Sequence, residues 1–463
     1  MRTEDAQPED TAEPSTEDVA RCLAVLHAVE RLPVEHPIRA CIEEAASRLH
    51  RRAKKRLRKQ REARLRDADQ AVLEQLSQAR QEVAGVRSLT SSEPEARQLL
   101  GRRPCYVCKQ SYSRLHPLYL SLCPECAREN EARRVQRVEL TGRRALVTGG
   151  RVKVGFHLAL KLLRDGARVL VTSRYPRDAA RRYAQEPDFE SWRHRLVIHG
   201  LDLRDLSGVR DFCAHLLATE PHLDILVNNA AQTLRPAPEH DTALARLEAS
   251  LARGLPAPAL ALLGPVPGQE GPWAALPSGA PRVEADVPGL LVERRDGGLV
   301  DARARNSWVL RLEEVEPVEL VEVQLVNAIA PFLLNGQLKP LLLRSPFPDR
   351  HIVNVSAVEG QFQREHKTVF HPHTNMAKAA LNMMTRTSAA GYAREGIYMN
   401  SVDTGWLTNE NPEDKRSRMA ARGFETPLDC VDGAARVYDP IVQGVRGRPV
   451  HGLFLKDYRS APW

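Results

Sequence analysis

Four cysteines occur as two CxxC pairs, a spacing that suits metal ligands. Cys105 with Cys108 and Cys123 with Cys126 form these pairs, and fourteen residues separate them. Two such pairs bring four thiolates to the corners of a tetrahedron around one Zn²⁺. Since four thiolates fill the shell of the ion, no position is left for a substrate. The pattern predicts a structural zinc site, with His116 as an alternative ligand that the filled shell does not need.

A second chemical feature is a glycine turn between an apolar strand and a helix. Residues 145–147 form a short apolar run, Thr148, Gly149 and Gly150 follow it, and apolar residues then recur at helical spacing up to Gly166. A second apolar strand is predicted at residues 168–172. A strand, glycine turn, helix and strand in this order present backbone N–H groups at a helix N-terminus. Such a terminus binds the pyrophosphate of a nucleotide.

Several motifs, in order along residues 140–460, resemble the short-chain dehydrogenase/reductase family. The turn TGGRVKVG matches the family at Gly149 and Gly155, whereas Lys153 replaces its middle glycine. The segments LDLRD, DILVNNAA, LVNAIAPFLL, HIVNVSAVEG, HTNMAKAAL and NSVDTGWLT follow. The resemblance implies a Rossmann-type fold and a nicotinamide dinucleotide cofactor. It also implies cofactor contacts at Asp202, Asn228 and Lys378, and a proton relay that includes Asn327 and Lys378.

Charges at the end of the second strand favour NADP over NAD as the cofactor. A carboxylate at this place would hold the ribose 2′-hydroxyl and repel a 2′-phosphate. Ser173 stands there instead, Arg174 follows it, and Arg151 and Lys153 lie in the glycine turn. Lys153 allows two interpretations, because its side chain can contact the phosphates by charge or can block them.

The catalytic segments depart from the family at two positions. Where the family has its tyrosine, four residues before Lys378, this chain has Thr374, and Ala357 stands where the family has its serine. A threonine hydroxyl is a much weaker acid than a phenol, so another proton donor is needed. His373 or His371 is the expected replacement, because histidine titrates near neutral pH. The alternative is an inactive reductase fold that binds a nucleotide and acts as a regulatory or scaffold protein.

The glycine turn and the resemblance together imply an α/β fold with a doubly wound, mostly parallel sheet at residues 140–463. An α-helical hairpin or coiled-coil segment at 17–100 and a four-cysteine module at 101–135 are predicted to precede it, after a disordered acidic tail at 1–16. A proline-rich insertion at about 234–306 is predicted to be irregular, with 256–288 disordered or acting as a mobile flap. The 463 residues are sufficient for two or three such domains.

Composition limits the partners and the compartment. Residues 48–66 hold eleven basic residues and one acid, which predicts a solvated helix face, with nucleic-acid binding or a nuclear address as alternatives. Because no run of 18 apolar residues occurs, no membrane span is expected. Paired thiols and an acidic N-terminus favour a reducing, cytoplasmic setting, with the nucleus as an alternative. The resemblance implies a homo-oligomer and a small carbonyl or alcohol substrate that the sequence does not name.

Overall fold

The computed structural model describes residues 13–83, 97–235, 238–265, 303–364 and 367–463. These residues form two compact units. The first contains two helices and the short segment Gln98–Arg102, and the second contains the described part of Arg103–Trp463. Residues 1–12 of the acidic tail predicted at 1–16 lie outside the described residues, and its last residue, Thr16, begins the first helix.

The first unit is built from two helices, α1 (Thr16–Glu30) and α2 (Pro37–Val83). The hydroxyl of Ser15 accepts from the N–H of Asp18, and the carboxylate of Asp18 accepts from the N–H of Ser15, so a capping box begins α1. The basic run lies on α2, where Leu49 and Leu57 are 70% and 62% exposed. Exposed ion pairs one turn apart also occur on this helix, which is typical of a solvated charged face. Nucleic-acid binding and coiled-coil pairing stay predictions.

The second unit is an eight-stranded sheet covered by helices on both faces. The order is β10-β9-β8-β7-β6-β3-β4-β5, and every neighbouring pair is parallel except β9 with β10. The eight strands are, in chain order, β3 (Arg144–Thr148), β4 (Arg168–Ser173), β5 (Leu196–Gly200), β6 (Ile225–Asn228), β7 (Arg350–Ser356), β8 (Ile397–Asp403), β9 (Phe454–Lys456) and β10 (Arg459–Ala461). Two earlier strands, β1 (Gln98–Pro104) and β2 (Ser111–Arg114), lie outside this sheet. The prediction of a doubly wound α/β fold is confirmed.

Except for the first, which precedes β3, the described helices of this unit connect successive strands of the sheet. They are α3 (Pro124–Val135), α4 (Lys153–Arg164), α5 (Pro176–Ala184), α6 (Phe189–Trp192), α7 (Leu206–Thr219), α8 (Pro238–Gly254), α9 (Ala257–Leu260), α10 (Pro317–Gln324), α11 (Ala330–Gln337), α12 (Lys339–Leu343), α13 (Pro372–Ala393), α14 (Glu413–Ala420) and α15 (Cys430–Val445). Five residues in π-helical geometry, Leu325–Ile329, join α10 to α11.

Side chains alternate across β3 and so divide the core into two layers. Val147 packs with α4 and α15 on one face, and Leu146 packs with α7 and α11 on the other. Because β3 is buried on both faces, its sequence is a continuous apolar run rather than an alternating one. The chain leaves β3 toward β4 on one side and β6 lies on the other, so the sheet changes direction here. Doubly wound sheets bind ligands at this place.

The prediction that residues 234–306 are irregular is wrong for their first part. α8 is a 17-residue helix, and a one-residue parallel bridge joins Leu263 to Ile198 of β5. Leu244, Leu247 and Leu251 stand three or four residues apart, a helical pattern that the neighbouring prolines concealed. The remainder of the proposed flap, residues 266–302, lies outside the described residues.

Within the part of the chain that the structure describes, one helical segment, Pro317–Gln337, is long and apolar enough to cross a bilayer by length and composition alone. Its residues Val323, Ala330 and Leu334 are fully buried. Core helices pass the same length test, so this segment is weak support for a membrane span, and the expected absence of one stays a prediction.

Candidate dinucleotide-binding and active site

A cleft of about 520 Å³ lies at the carboxyl ends of the parallel strands. It runs from the glycine turn after β3, past the ends of β4 and β5, to the end of β7 and the loop after β8. The turn residues Gly149 and Lys153 line one part, and Ala357 and Lys378 line another. The structure therefore brings the predicted cofactor residues and the predicted lysine of the relay to one cavity.

The two glycines of the turn are required by close packing. Gly149 has a φ of +69°, and a Cβ there would come within 2.9 Å of the Cα of Ala230. A Cβ at Gly155 would overlap the carbonyl oxygen of Gly149 and the side-chain amide of Asn229. That amide donates to the carbonyls of Thr148 and Gly149 at 2.9 and 3.1 Å, which fixes the turn against the end of β6. The N-terminus of α4 consequently faces the cleft.

Lys153 keeps the backbone geometry of a glycine although it carries a side chain. Its φ is +55°, in the left-handed region that non-glycine residues rarely adopt. Its Nζ lies 3.7 Å from a carboxylate oxygen of Glu410, in the loop after β8. Lys153 lines the cleft and does not close it. Of the two interpretations, contact with phosphate by charge agrees better with this placement than blockage does.

Arg174 and Tyr175 occupy the part of the cleft beyond the end of β4. The Arg174 guanidinium lies 5.4 Å from the centre of the Tyr175 ring and 3.7 Å from a carboxylate oxygen of Asp241 on α8. The hydroxyl of Tyr175 donates to the same carboxylate at 3.0 Å. Ser173 is buried beneath them and accepts from the N–H of Tyr175 at 3.0 Å. The insertion thus brings an acid to the place where the sequence predicts only cations.

Arg151 is directed to another partner. It lines the cleft, but its guanidinium donates to the buried carboxylate of Asp178 at 2.8 Å. Arg181 and Arg182 donate to the same carboxylate, at 2.6 and 2.8 Å. Burial favours the neutral acid, and the three guanidiniums overcome it, so the pKa of Asp178 is lowered. This binding makes Arg151 a weaker candidate for a cofactor phosphate than Arg174.

Asp202 lies at the end of β5 and lines the cleft, as predicted. Two guanidinium nitrogen atoms of Arg204 donate to the Asp202 carboxylate, and the shorter of these hydrogen bonds is 2.6 Å. Burial acts to raise the pKa of Asp202, but the Arg204 hydrogen bonds dominate and lower it. Asp202 is therefore a carboxylate at neutral pH.

Asn228 faces the interior and not the cleft, which corrects its assignment as a cofactor contact. Its Nδ2 donates to Oδ1 of Asn335 and of Asn354, at 2.8 and 2.7 Å. The next residue, Asn229, lines the cleft. Successive side chains at a strand end point to opposite sides, so a shift of one residue exchanges the two asparagines.

Asn327 lies in the π-helical segment and is bound by the backbone of Gln232. Its Oδ1 accepts from the N–H of Gln232 and its Nδ2 donates to the Gln232 carbonyl, both at 2.9 Å. Val326 lines the cleft. The amide of Asn327 instead fixes the backbone of Gln232, the residue that follows the NNAA motif at the end of β6. In this structure Asn327 positions the cleft wall.

Lys378 is the ionisable group that faces the cleft beside the end of β7. Its Nζ donates to the carbonyl of Val355 at 2.9 Å, and the residue is 6% exposed. Burial lowers the pKa of Lys378 to about 8, and the carboxylate of Glu359 partly opposes that shift. Ser356 also lines the cleft, and its hydroxyl donates to Oδ1 of Asn382 at 2.7 Å.

Neither expected replacement for the tyrosine lies in the cleft. His373 is buried with Nε2 3.4 Å from a carboxylate oxygen of Glu319 on α10. His371 has a φ of +43°, stacks on Trp308 at 4.0 Å between ring centres, and has a pKa lowered by burial to about 4. The prediction that one of them is the proton donor is therefore wrong in this geometry.

Thr374 is also buried, and its hydroxyl has no hydrogen-bond partner among the described residues. The helix α13 turns Lys378 toward the cleft, while residues 371–374 pack against α10 and the 3₁₀ turn Ser307–Val309. The turn that follows the insertion, together with α10, thus covers the region where the sequence predicts the donor.

Comparison with known proteins shows the family of this chain. The sequence model of the short chain dehydrogenase family matches residues 143–259. An uncharacterized protein of Acanthamoeba polyphaga mimivirus is 33% identical over 351 residues, 73% of this chain and 71% of that protein. The chain belongs to the short-chain dehydrogenase/reductase family. Retinol dehydrogenase 14 of Mus musculus is 40% identical over 100 residues, and dehydrogenase/reductase SDR family member 13 of Bos taurus is 41% identical over 91.

These matches to the mammalian relatives are partial. They span 29% and 24% of the two mammalian proteins, and about a fifth of this chain. Among solved structures, NADPH-bound carbonyl reductase from chicken fatty liver is similar at 19% identity over 70% of this chain and all of that one, with a TM-score of 0.43.

Three residues of this short-chain dehydrogenase/reductase cleft were not anticipated from the sequence. Asp241 comes from the insertion, Glu410 from the loop after β8, and Asn229 from the position beside the predicted Asn228. The helical spacing of the leucines from Leu244 onward could have predicted α8, the helix that carries Asp241. Nothing in the sequence indicates that Glu410 approaches Lys153, because that contact depends on the path of a loop.

The four predicted cysteine ligands come together outside the cleft. Their sulfur atoms lie within 4.8 Å of one another, and Cys105, Cys123 and Cys126 are buried. The N–H of Cys123 donates to the sulfur of Cys105 at 3.3 Å. Burial opposes ionisation of Cys105, but backbone N–H groups overcome it and lower its pKa to about 7. The thiolate set and its N–H donors suit a metal ion, and the sequence grouping of these ligands is confirmed. His116 instead lies 3.4 Å from Glu131.

Proposed function

We propose that this chain is an NADP-dependent oxidoreductase acting between a carbonyl and an alcohol. The observation that carries the proposal is the single cleft that joins the glycine turn, the end of β4 and Lys378. The α4 N-terminus and Lys153 would hold the pyrophosphate. When bound, the dinucleotide supplies or accepts the hydride. Two observations support this function: the family of the chain, and the position of the cleft at the switch point of the sheet.

NADP is favoured over NAD by Arg174. The guanidinium lines the cleft where β4 ends, and Ser173 leaves that place without a carboxylate of its own. A 2′-phosphate would compete with Asp241 for Arg174, since their present distance of 3.7 Å is longer than a close ion pair. Asp241 therefore moderates the preference for NADP.

Lys378 is the proposed proton donor in the direction of reduction. It lines the cleft, and a lysine with a pKa of about 8 is charged at neutral pH yet close enough to release a proton. Its N–H bond to the Val355 carbonyl directs the ammonium group along the end of β7. Lys378 protonates the developing alkoxide oxygen of the substrate, and solvent restores the proton.

A second candidate function is dinucleotide binding without turnover. It is favoured by the loss of both family hydroxyls, since Thr374 is buried away from the cleft and Ala357 has none. In that case the chain would act as a regulatory or scaffold protein. Measured turnover separates the two candidates, because both include cofactor binding.

Two further assignments accompany the proposed activity. The four cysteines would hold one structural zinc ion, since their thiolate set leaves no open position. Sites of this kind persist in a reducing compartment, which is consistent with a cytoplasmic or nuclear location. A second copy of the chain would cover the exposed apolar side chains of α10, α11 and α13.

Calorimetric titration with NADPH and NADH tests the proposal, followed by turnover on a panel of carbonyl compounds. Gly155→Ala would place a Cβ against Gly149 and Asn229, so the turn would shift and binding should fall at least about tenfold. Gly336→Ala is the matched control, because a Cβ there meets nothing within 4 Å. Wild-type protein that binds neither dinucleotide would contradict both candidate functions.

A further inference from the structure

The loop after β8 is bound to the cysteine module by one hydrogen bond. Tyr106 lies inside the first CxxC pair, and its hydroxyl accepts from the backbone N–H of Trp406 at 2.9 Å. Gly405, with a φ of +82°, precedes Trp406, and a Cβ there would lie 3.6 Å from the same hydroxyl. The ammonium of Lys456 lies 5.7 Å from the centre of the Tyr106 ring.

That loop forms a wall of the cleft. Thr404, Leu407 and Thr408 line the cavity on either side of the Gly405–Trp406 step. The loop begins at Asp403, whose carboxylate accepts from the N–H of Gly405 at 2.8 Å and from the N–H of Val358 at 2.7 Å. The Asp403 carboxylate thus fixes the start of the loop, and Tyr106 fixes its next peptide.

A second set of contacts joins the cysteine module to the cleft. The hydroxyl of Tyr119, between the two CxxC pairs, donates to Asp432 at 2.6 Å. Arg134 on α3 donates to Asp429 and Asp432 at 2.7 and 2.8 Å. Asp429 caps α15, and the first residue of that helix, Cys430, lines the cleft.

We propose that Tyr106 is a positioning residue through which the metal-binding module holds the cleft loop at residues 404–408 in place. The part of this inference that concerns the dinucleotide rests on the proposed function. Metal ligation fixes the Cys105–Cys108 turn, the turn fixes Tyr106, and Tyr106 fixes the peptide of Trp406. Metal and dinucleotide then stabilise each other, because a coupling between two sites acts equally in both directions.

Amide hydrogen exchange of residues 405–408 tests the loop contact without any cofactor. Tyr106→Phe removes one hydroxyl from the loop contact. Tyr112→Phe is the matched control, because its hydroxyl donates to the Leu120 carbonyl at 2.7 Å within the module. Loss of one hydrogen bond should speed exchange of the Trp406 amide about fivefold in Tyr106→Phe only. Equal exchange in the two variants would overturn the proposal.

The reciprocal coupling gives a second measurement that does not depend on turnover. Zinc release from the zinc-loaded protein to a chromogenic chelator is timed with and without saturating NADP. Wild type and Tyr112→Phe should release zinc severalfold more slowly with NADP, whereas Tyr106→Phe should lose most of that protection. Equal protection in all three proteins would overturn the coupling. If wild-type protein binds no NADP, the proposed function fails, and the exchange experiment still decides the role of Tyr106.

Discussion

Lys378 determines how the proposed reaction should depend on pH. Its pKa is lowered by burial to about 8, so the ammonium form predominates below that pH and the free amine above it. Reduction needs the proton on Lys378, and oxidation needs it absent. We expect kcat/KM for reduction to fall above pH about 8 and kcat/KM for oxidation to rise through the same range, as measured in steady-state profiles.

A charge-conserving substitution separates the proton from the charge. Lys378→Arg keeps a cation in the cleft but cannot release a proton near neutral pH. Turnover should fall about 10²–10⁴-fold while dinucleotide affinity changes little. Lys367→Met is the control, because Lys367 donates to the Glu359 carbonyl and does not line the cleft. Full turnover in Lys378→Arg would remove Lys378 from the proton relay.

The sequence predicted single residues well where backbone geometry requires them. Gly149 and Gly155 were identifiable because close packing excludes any side chain. The prediction that Asn228 contacts the cofactor was wrong by one position. Side chains alternate in direction at a strand end, and the motif does not show which of the two asparagines faces the cleft. The histidines failed for another reason. His371 and His373 are near the relay in sequence, but contacts with Trp308 and Glu319 turn them into the interior.

Among the elements, α8 bears on the proposed cofactor choice, because its Asp241 lies 3.7 Å from Arg174. Arg174→Ala should weaken the binding of NADPH by at least about tenfold and leave the binding of NADH nearly unchanged, because only the 2′-phosphate interacts with that charge. Asp241→Asn should have the opposite effect and strengthen the binding of NADPH but not of NADH, because it removes a negative charge 3.7 Å from Arg174. Calorimetry with both dinucleotides checks the pair. Equal changes for NADPH and NADH would place neither residue at the 2′-position.

The cysteine module should bind one zinc ion per chain. Metal analysis of the purified protein measures this stoichiometry directly. Cys105→Ser should lower the zinc content and loosen β2 and α3, because the four cysteines join the turn before β2 to the first residues of α3. Cys213→Ser is the control. Cys213 lies on α7, buried in the hydrophobic core, and is not one of the four clustered cysteines. A folded, metal-free protein would contradict the prediction.

Elements with a strong local pattern were predictable, and those shaped by their neighbours were not. The unit from β3 to β4 follows from an apolar run, a glycine turn and helical spacing. α8 was missed because the prolines on either side of it suggested irregular chain. The π-helical turn at Leu325–Ile329 has no local signal, since it arises where α10 and α11 meet the Gln232 backbone.

For the whole molecule, an exposed apolar surface supports the proposed homo-oligomer. Its side chains stand at helical spacing and are 39% to 63% exposed: Val318, Val321, Ile329, Phe332, Met376 and Met383. Surfaces of this kind usually mark an interface. Phe332→Glu with Met383→Glu should produce a monomer in light scattering. Leu260→Glu on α9, also an exposed apolar site, should not. A wild-type monomer would contradict this prediction.

The ion pair between Lys153 and Glu410 gives the protein an unusual response to ionic strength. Phosphate groups entering the cleft must compete with Glu410 for the lysine, at a present distance of 3.7 Å. Dissolved salt screens the attraction between lysine and phosphate, and it equally screens the internal pair that opposes it. The two effects partly cancel. Dinucleotide affinity in wild-type protein should therefore decline only gently with added salt, and more steeply in Glu410→Gln, where the competing Glu410 carboxylate is gone.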